Sequence, residues 1–220
     1  YFWDSFKVWP FQFLIESFDV VYSFDRLDCQ EYKLNYQPLF YSEDDTVLQD
    51  YNKRDIDVLY VGSVGPPSKN RFEIIAELQQ ECEQSSLHCF LYLLYVPPRH
   101  NALIKVINAI RKLFDDNYRS FISALNKYRS KFTFVHSAPL SSKEIKALLY
   151  RAKCVFDITV PGQIGLTMRS IETLHMGCKL LTTNTYITEE DFFNKEWIRV
   201  IKEGEPKLDL EFLKSEPKAK

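Results

Sequence analysis

From residue 56 onward the chain alternates between short apolar runs and helix-patterned segments, and few folds accept that order. Residues 56–61, 88–96, 132–136, 154–158, 179–183 and 197–201 read as strands that are apolar on both faces. Between them, residues 71–83 carry Phe72, Ile75, Leu78 and Cys82 on one helical face. Residues 103–114 place Ile104, Ile107 and Ile110 at helical spacing, and a more polar helix continues through residue 128. Asn70 followed by Glu73 resembles a capping pair, and Ser141 with Glu144 forms a capping box for a helix through residue 153. Residues 209–215 form a short terminal helix. Strands apolar on both faces and alternating with helices predict a parallel sheet covered by helices, a Rossmann-like α/β domain. Ligands of such sheets bind beyond the carboxyl ends of the strands. The loops after Val61, Val96, Val135, Ile158 and Thr183 are therefore the ones to search.

The first fifth of the chain is less regular. Residues 1–4 and 19–24 read as short strands, 11–17 as a short helix, 25–32 as a loop or short helix, and 35–42 as extended around Pro38. The polar stretches 42–45 and 49–55 read as a surface linker. The predicted division is residues 1–42 as one unit and 43–220 as the main domain. A formal net charge of −2 argues against a nucleic-acid partner. No apolar run approaches the roughly 20 residues that span a bilayer. The chain does not begin with Met, and the expectation is that an upstream part precedes it. Five cysteines without CxxC or clustered Cys/His spacing predict free thiols in a reducing compartment and no metal.

The candidate chemistry lies in three loops. Gly62-Ser63-Val-Gly65 lacks both GxGxxG and the GxxxxGK[ST] phosphate loop, so it is either a binding turn or a plain strand-to-helix turn. Arg71 follows at a helix start, where a cation opposes the helix dipole unless an anion is near; it reads as a phosphate or domain contact, or as a solvated side chain. His136 ends a strand and contacts a base or phosphate, or is a hydrogen-bonded structural histidine. The turn-rich loop 159–165 contains Gln163, and Gly165 with Thr167 opens the next helix, where free amides would face outward. Arg169 adds charge in the first turn, and Glu172 lies three residues on, within reach of ribose hydroxyls if a diphosphate sits at the amides. The same two residues also suit a surface ion pair worth about 0.3–0.5 kcal/mol. Asp4 and Asp25, at or after strand ends, are the candidates for a general base.

The order of these motifs resembles the carboxy-terminal half of GT-B glycosyltransferases. More closely, it is similar to bacterial lipopolysaccharide or capsule biosynthesis proteins related to spore-maturation-type glycosyltransferases. The residues carrying the resemblance are Tyr1-Phe-Trp-Asp4-Ser, Val21-Tyr-Ser-Phe-Asp25-Arg, Tyr36-Gln-Pro-Leu-Phe40, Asp57-Val-Leu-Tyr-Val-Gly62-Ser, Asp157-Ile and Gly165-Leu-Thr-Met-Arg169-Ser-Ile-Glu172. The resemblance implies that residues 1–42 are the tail of an amino-terminal, acceptor-side domain and 43–220 the donor-binding domain. It implies transfer from a nucleotide-sugar donor to a surface polysaccharide or lipid-linked glycan, with no metal or other cofactor. Glu172 would hold the donor ribose, and Gly165 and Thr167 would form the phosphate-binding helix start. It further implies a cytoplasmic protein at the inner face of the membrane, associated peripherally through the upstream domain. One departure is clear: the family's two glutamates eight apart would place the first at Ile164, which is not acidic. The alternatives are a non-catalytic nucleotide- or partner-binding module and a GT-B-shaped sugar-nucleotide epimerase.

Overall fold

The computed structural model describes residues 1–2, 4–6, 10–41, 48–97, 102–159, 164–202, 205 and 207–217, with the side chains of 102–105 and 108 excepted. Its centre is a six-stranded, fully parallel sheet. The strands are β3 (Ile56–Ser63), β4 (Cys89–Leu94), β5 (Val135–His136), β6 (Ala152–Asp157), β7 (Lys179–Thr182) and β8 (Ile198–Val200), in the order β5-β4-β3-β6-β7-β8. The predicted Rossmann-like sheet is thus present, with strand ends shifted by at most three residues. The chain builds outward from β3 to β5, then returns to place β6 against the other side of β3. In open parallel sheets the ligand crevice lies at such a reversal, here the carboxyl ends of β3 and β6.

Alternation along the strands builds the core. Val58 and Tyr60 of β3 join Cys154, Phe156 and Leu181 on one face, packed against α2 (Arg71–Gln84), α4 (Asp116–Lys131) and α7 (Leu210–Lys214). Leu59 and Val155 meet Leu148 and Leu149 of α5 (Ser142–Arg151) on the other. Leu174 of α6 (Met168–His175) packs with Leu180 and Ile198. Each fully buried Leu, Ile or Phe stabilises this sandwich by about 1.5–3 kcal/mol. α3 (Ala102–Phe114) lies between β4 and α4 in the chain.

Local signals mostly act as read. Ser141 Oγ accepts from the Glu144 amide at 3.3 Å, and Glu144 Oε2 accepts from the Ser141 amide at 2.7 Å. Asn70 does not cap α2 with its side chain. A 3₁₀ turn over Pro66–Ser68 precedes it, and its backbone is already helical at φ −61°, ψ −20°, so its side chain has no capping geometry to adopt. α6 stops at Gly177, whose φ of +63° favours glycine, and the Cys178 amide closes onto Thr173 O at 3.0 Å.

Two cations tie the amino ends of the strands. Arg54 was expected in a surface linker, yet it is 4% exposed. All five guanidinium N–H groups are used: Nη1 donates to Ala152 O (2.7 Å) and Cys178 Sγ (3.1 Å), Nη2 to Met176 O (2.8 Å) and Gln49 O (3.2 Å), and Nε to Gln49 O (3.4 Å). Lys179, fully buried at the start of β7, donates to Phe212 O, Ser215 O and Ser215 Oγ, and so caps the carboxyl end of α7. Burial pushes its ammonium pKa down.

Residues 1–41 carry a separate two-stranded parallel sheet, β1 (Tyr22–Ser23) with β2 (Asn35–Tyr36), joined by α1 (Arg26–Tyr32). The strand expected over residues 1–4 is a single parallel bridge between Phe2 and Ser23, and the helix expected over 11–17 is a 3₁₀ helix, Gln12–Ser17. All five cysteines are free, and only Cys89 is not buried.

Candidate functional site

The residues singled out from the sequence gather at one end of the sheet, because every parallel strand delivers its following loop there. Gly62 and Ser63 end β3, His136 ends β5, and Arg71 opens α2. Thr167, Arg169 and Glu172 belong to the start of α6. Gln163 lies outside the described residues.

Arg71 spans the crevice. Its Nη1 donates to Ser63 O at 2.6 Å and its Nη2 to Ile158 O at 2.7 Å, which links the loop after β3 to the loop after β6. Its Nε is buried and has no partner among the described residues, so the guanidinium keeps donor capacity in reserve. Tyr60 Oη, from within β3, and Thr159 Oγ1, from the loop after β6, are likewise buried without a partner among the described residues. Burial pushes the Tyr60 hydroxyl pKa up to about 12, so it stays a neutral donor. Gly62 is explained by packing: a Cβ there would come within 2.5 Å of Tyr60 Oη.

The start of α6 was expected to offer its amides to a ligand anion. Beside it the protein supplies its own carboxylate, Asp157, at the end of β6 and 7% exposed, which bonds side-chain hydroxyls of this helix start. Asp157 Oδ2 accepts from Thr167 Oγ1 at 2.7 Å and from Ser170 Oγ at 2.8 Å, while Thr167 Oγ1 accepts from the Ser170 amide at 3.2 Å. A negative charge held against the helix start is favourable for the dipole. The Gly165 amide is used too: it donates to Asp25 Oδ2 at 3.4 Å. A Cβ on Gly165 would clash with the Phe24 ring, so this glycine admits the amino-terminal segment. Asp157 was read as part of the strand 154–158 and as one of the residues carrying the resemblance, with no role of its own; the signal that could have found it is an Asp near a strand's end ahead of a Thr-x-x-Ser helix start.

Asp25 is thereby accounted for as a structural group. It is 1% exposed and caps α1 by accepting from the Leu27 amide at 2.9 Å and the Asp28 amide at 3.4 Å. These bonds are those of a helix cap, which corrects its reading as a base. Asp4 is exposed at the surface.

Arg169 and Glu172 pair with each other, Nη1 to Oε2 at 2.6 Å, with both side chains mostly covered. The pair is therefore a fixed, partly buried unit rather than a solvated one. His136 stacks on Tyr92 with ring centroids 3.8 Å apart and planes 1° apart. Burial lowers its pKa, so the ring is neutral near pH 7.

The amino-terminal segment lies along α6 and the chain that follows β7. Arg26 and Tyr36 both donate to Glu190 Oε1, at 3.2 and 2.9 Å, and Tyr41 stacks on His175 with centroids 4.0 Å apart. A cavity of about 580 Å³ opens beside that seam, lined by Leu39, Tyr41, Ile171, His175, Phe192 and Trp197. It is apolar and lies away from the strand-end crevice. Among the described residues no cluster of three or more His, Cys, Asp or Glu is placed to hold a metal ion, and no helix is long and apolar enough to cross a membrane. No protein-family model matches the chain, and no curated protein is similar to it.

Proposed function

We propose that the chain is the donor-binding part of a GT-B-type glycosyltransferase, which moves a sugar from a nucleotide-sugar donor to a surface polysaccharide or lipid-linked glycan. The observation that carries this reading is Arg71 across the crevice where the strand order reverses, with an Nε and two nearby hydroxyls that have no partner among the described residues. Such a crevice is where open parallel sheets bind nucleotides, and a guanidinium with spare donors suits a diphosphate.

In this reading the diphosphate lies against Arg71 and the loop Gly62–Ser63. The own carboxylate at α6 keeps the phosphate off that helix start by like-charge repulsion. Arg169 holds one oxygen of Glu172, so the other is oriented toward the donor ribose. His136 offers a neutral edge to the base. As the sugar leaves, negative charge grows on the diphosphate, and a fixed guanidinium stabilises it without reorganising. Residues 1–42 act as the tail of the acceptor-side domain.

The binding-only alternative is favoured by one observation: Asp25, a candidate base, is spent as a helix cap. Thermal melting against a panel of nucleotides and nucleotide sugars tests donor binding. Stabilisation by at least one nucleoside diphosphate sugar, reduced in Arg71→Met, is expected; no shift across the panel would remove the proposal. Release of nucleoside diphosphate on incubation with the bound donor separates turnover from binding alone.

A further inference from the structure

α3 is the element whose burial disagrees with its pattern. At 100° per residue, Val106, Ile107, Ile110, Leu113 and Phe114 fall on one side of the helix, within an arc of about 120°. Such a stripe normally faces a core. Here all five are between 45% and 83% exposed, and the element that α3 contacts most is α4, which follows it directly. A contiguous apolar face of this kind marks a contact surface.

The charge pattern selects what it contacts. The thirteen residues of α3 contain Lys105, Arg111 and Lys112 and no acid, in a chain with 30 Asp and Glu and a net charge of −2. Lys112 is exposed and lies opposite the apolar stripe; Arg111 lies at its flank, over the Tyr118 ring and 3.6 Å from Asp115. At 1.5 Å per residue the helix is about 20 Å long, too short for a hydrocarbon core of about 30 Å. An apolar stripe with one cation at its flank and another on the opposite face of a short helix suits lying in the plane of a membrane surface, with apolar side chains in the acyl boundary and cations toward anionic headgroups.

We propose that α3 docks the protein on an anionic phospholipid bilayer. The proposal does not rest on the donor-site reading, since it needs neither nucleotide nor turnover.

Flotation of the chain with vesicles, without nucleotide, tests this. The chain should float with phosphatidylcholine vesicles containing phosphatidylglycerol at least about tenfold better than with phosphatidylcholine alone, and salt should weaken the binding. Ile110→Glu combined with Phe114→Glu should lower binding at least about tenfold. Both sites are exposed, so its circular dichroism and melting should match the parent. Lys112→Glu should cost about fivefold or more on the anionic vesicles. Phe13→Glu, at an exposed aromatic outside α3, should float as the parent does. Failure of the parent to float with either vesicle, or full flotation of the folded double variant, would overturn the proposal. So would a dimer in solution that the double variant dissolves while neither protein floats, which would assign the stripe to a second copy of the chain.

Discussion

Two arginines, Arg54 and Arg71, bracket the same strand pair and teach opposite lessons. Both reach from the β3 side to the β6 side, one at the amino ends of the strands and one at the carboxyl ends. Arg54 spends all five donors on protein acceptors and is 4% exposed, so it has nothing left to offer a ligand. Arg71 spends its donors on two carbonyls and keeps Nε unpartnered among the described residues. A saturated cation holds a fold together; an unsaturated one at a strand-end crevice is available for binding.

The largest effect should come from Arg54→Met. It strands the carbonyls of Gln49, Ala152 and Met176, each at about 1–3 kcal/mol, so urea unfolding should show a loss of at least about 3 kcal/mol. A loss under about 1 kcal/mol would break the comparison. Gly165→Ala comes next, at about 1–3 kcal/mol, because its Cβ meets the Phe24 ring; Phe24→Leu should restore part of it. Arg71→Met should cost only about 1 kcal/mol of stability. Its nucleotide-sugar binding, measured by calorimetry, should fall at least about tenfold, the equivalent of about 1.4 kcal/mol. Equal stability losses in Arg54→Met and Arg71→Met would erase the distinction between the two ends.

The smallest effects are in pH. At the carboxyl end, the folded His136 pKa lies below its ordinary value of 6.5, so the unfolded chain takes up this proton first. Its contribution is full above 6.5 and declines as pH falls below it; an NMR titration should place its midpoint under 6.5. At the amino end, Arg151 holds the Asp55 carboxyl down to about 2, from 3.8. That contribution is present above 3.8 and is lost as pH falls toward about 2. Acid should therefore remove the contribution of His136 well before that of Asp55.

The sequence made the sheet and its helices legible because period, capping box and strand composition are local. Arg54 was not legible: it lies in the polar run 49–55, and its burial depends on carbonyls about a hundred residues away. Asp157 was hidden for a related reason, since its role requires β6 and the start of α6 to meet. The Arg169–Glu172 spacing was readable, but whether the pair is solvated depends on what covers it. For α3 the apolar stripe was readable, whereas its exposure among the described residues belongs to tertiary structure.

Lys179 also has a consequence for synthesis. Its ammonium sits inside β7, and the acceptors that receive it, Phe212 O and Ser215 O, are made more than thirty residues later. A nascent chain halted before residue 212 would carry this strand with a charge and without those carbonyls. The seating of β7 is thus tied to the emergence of the last helix from the ribosome, and chains cut short there would be open to proteolytic clearance.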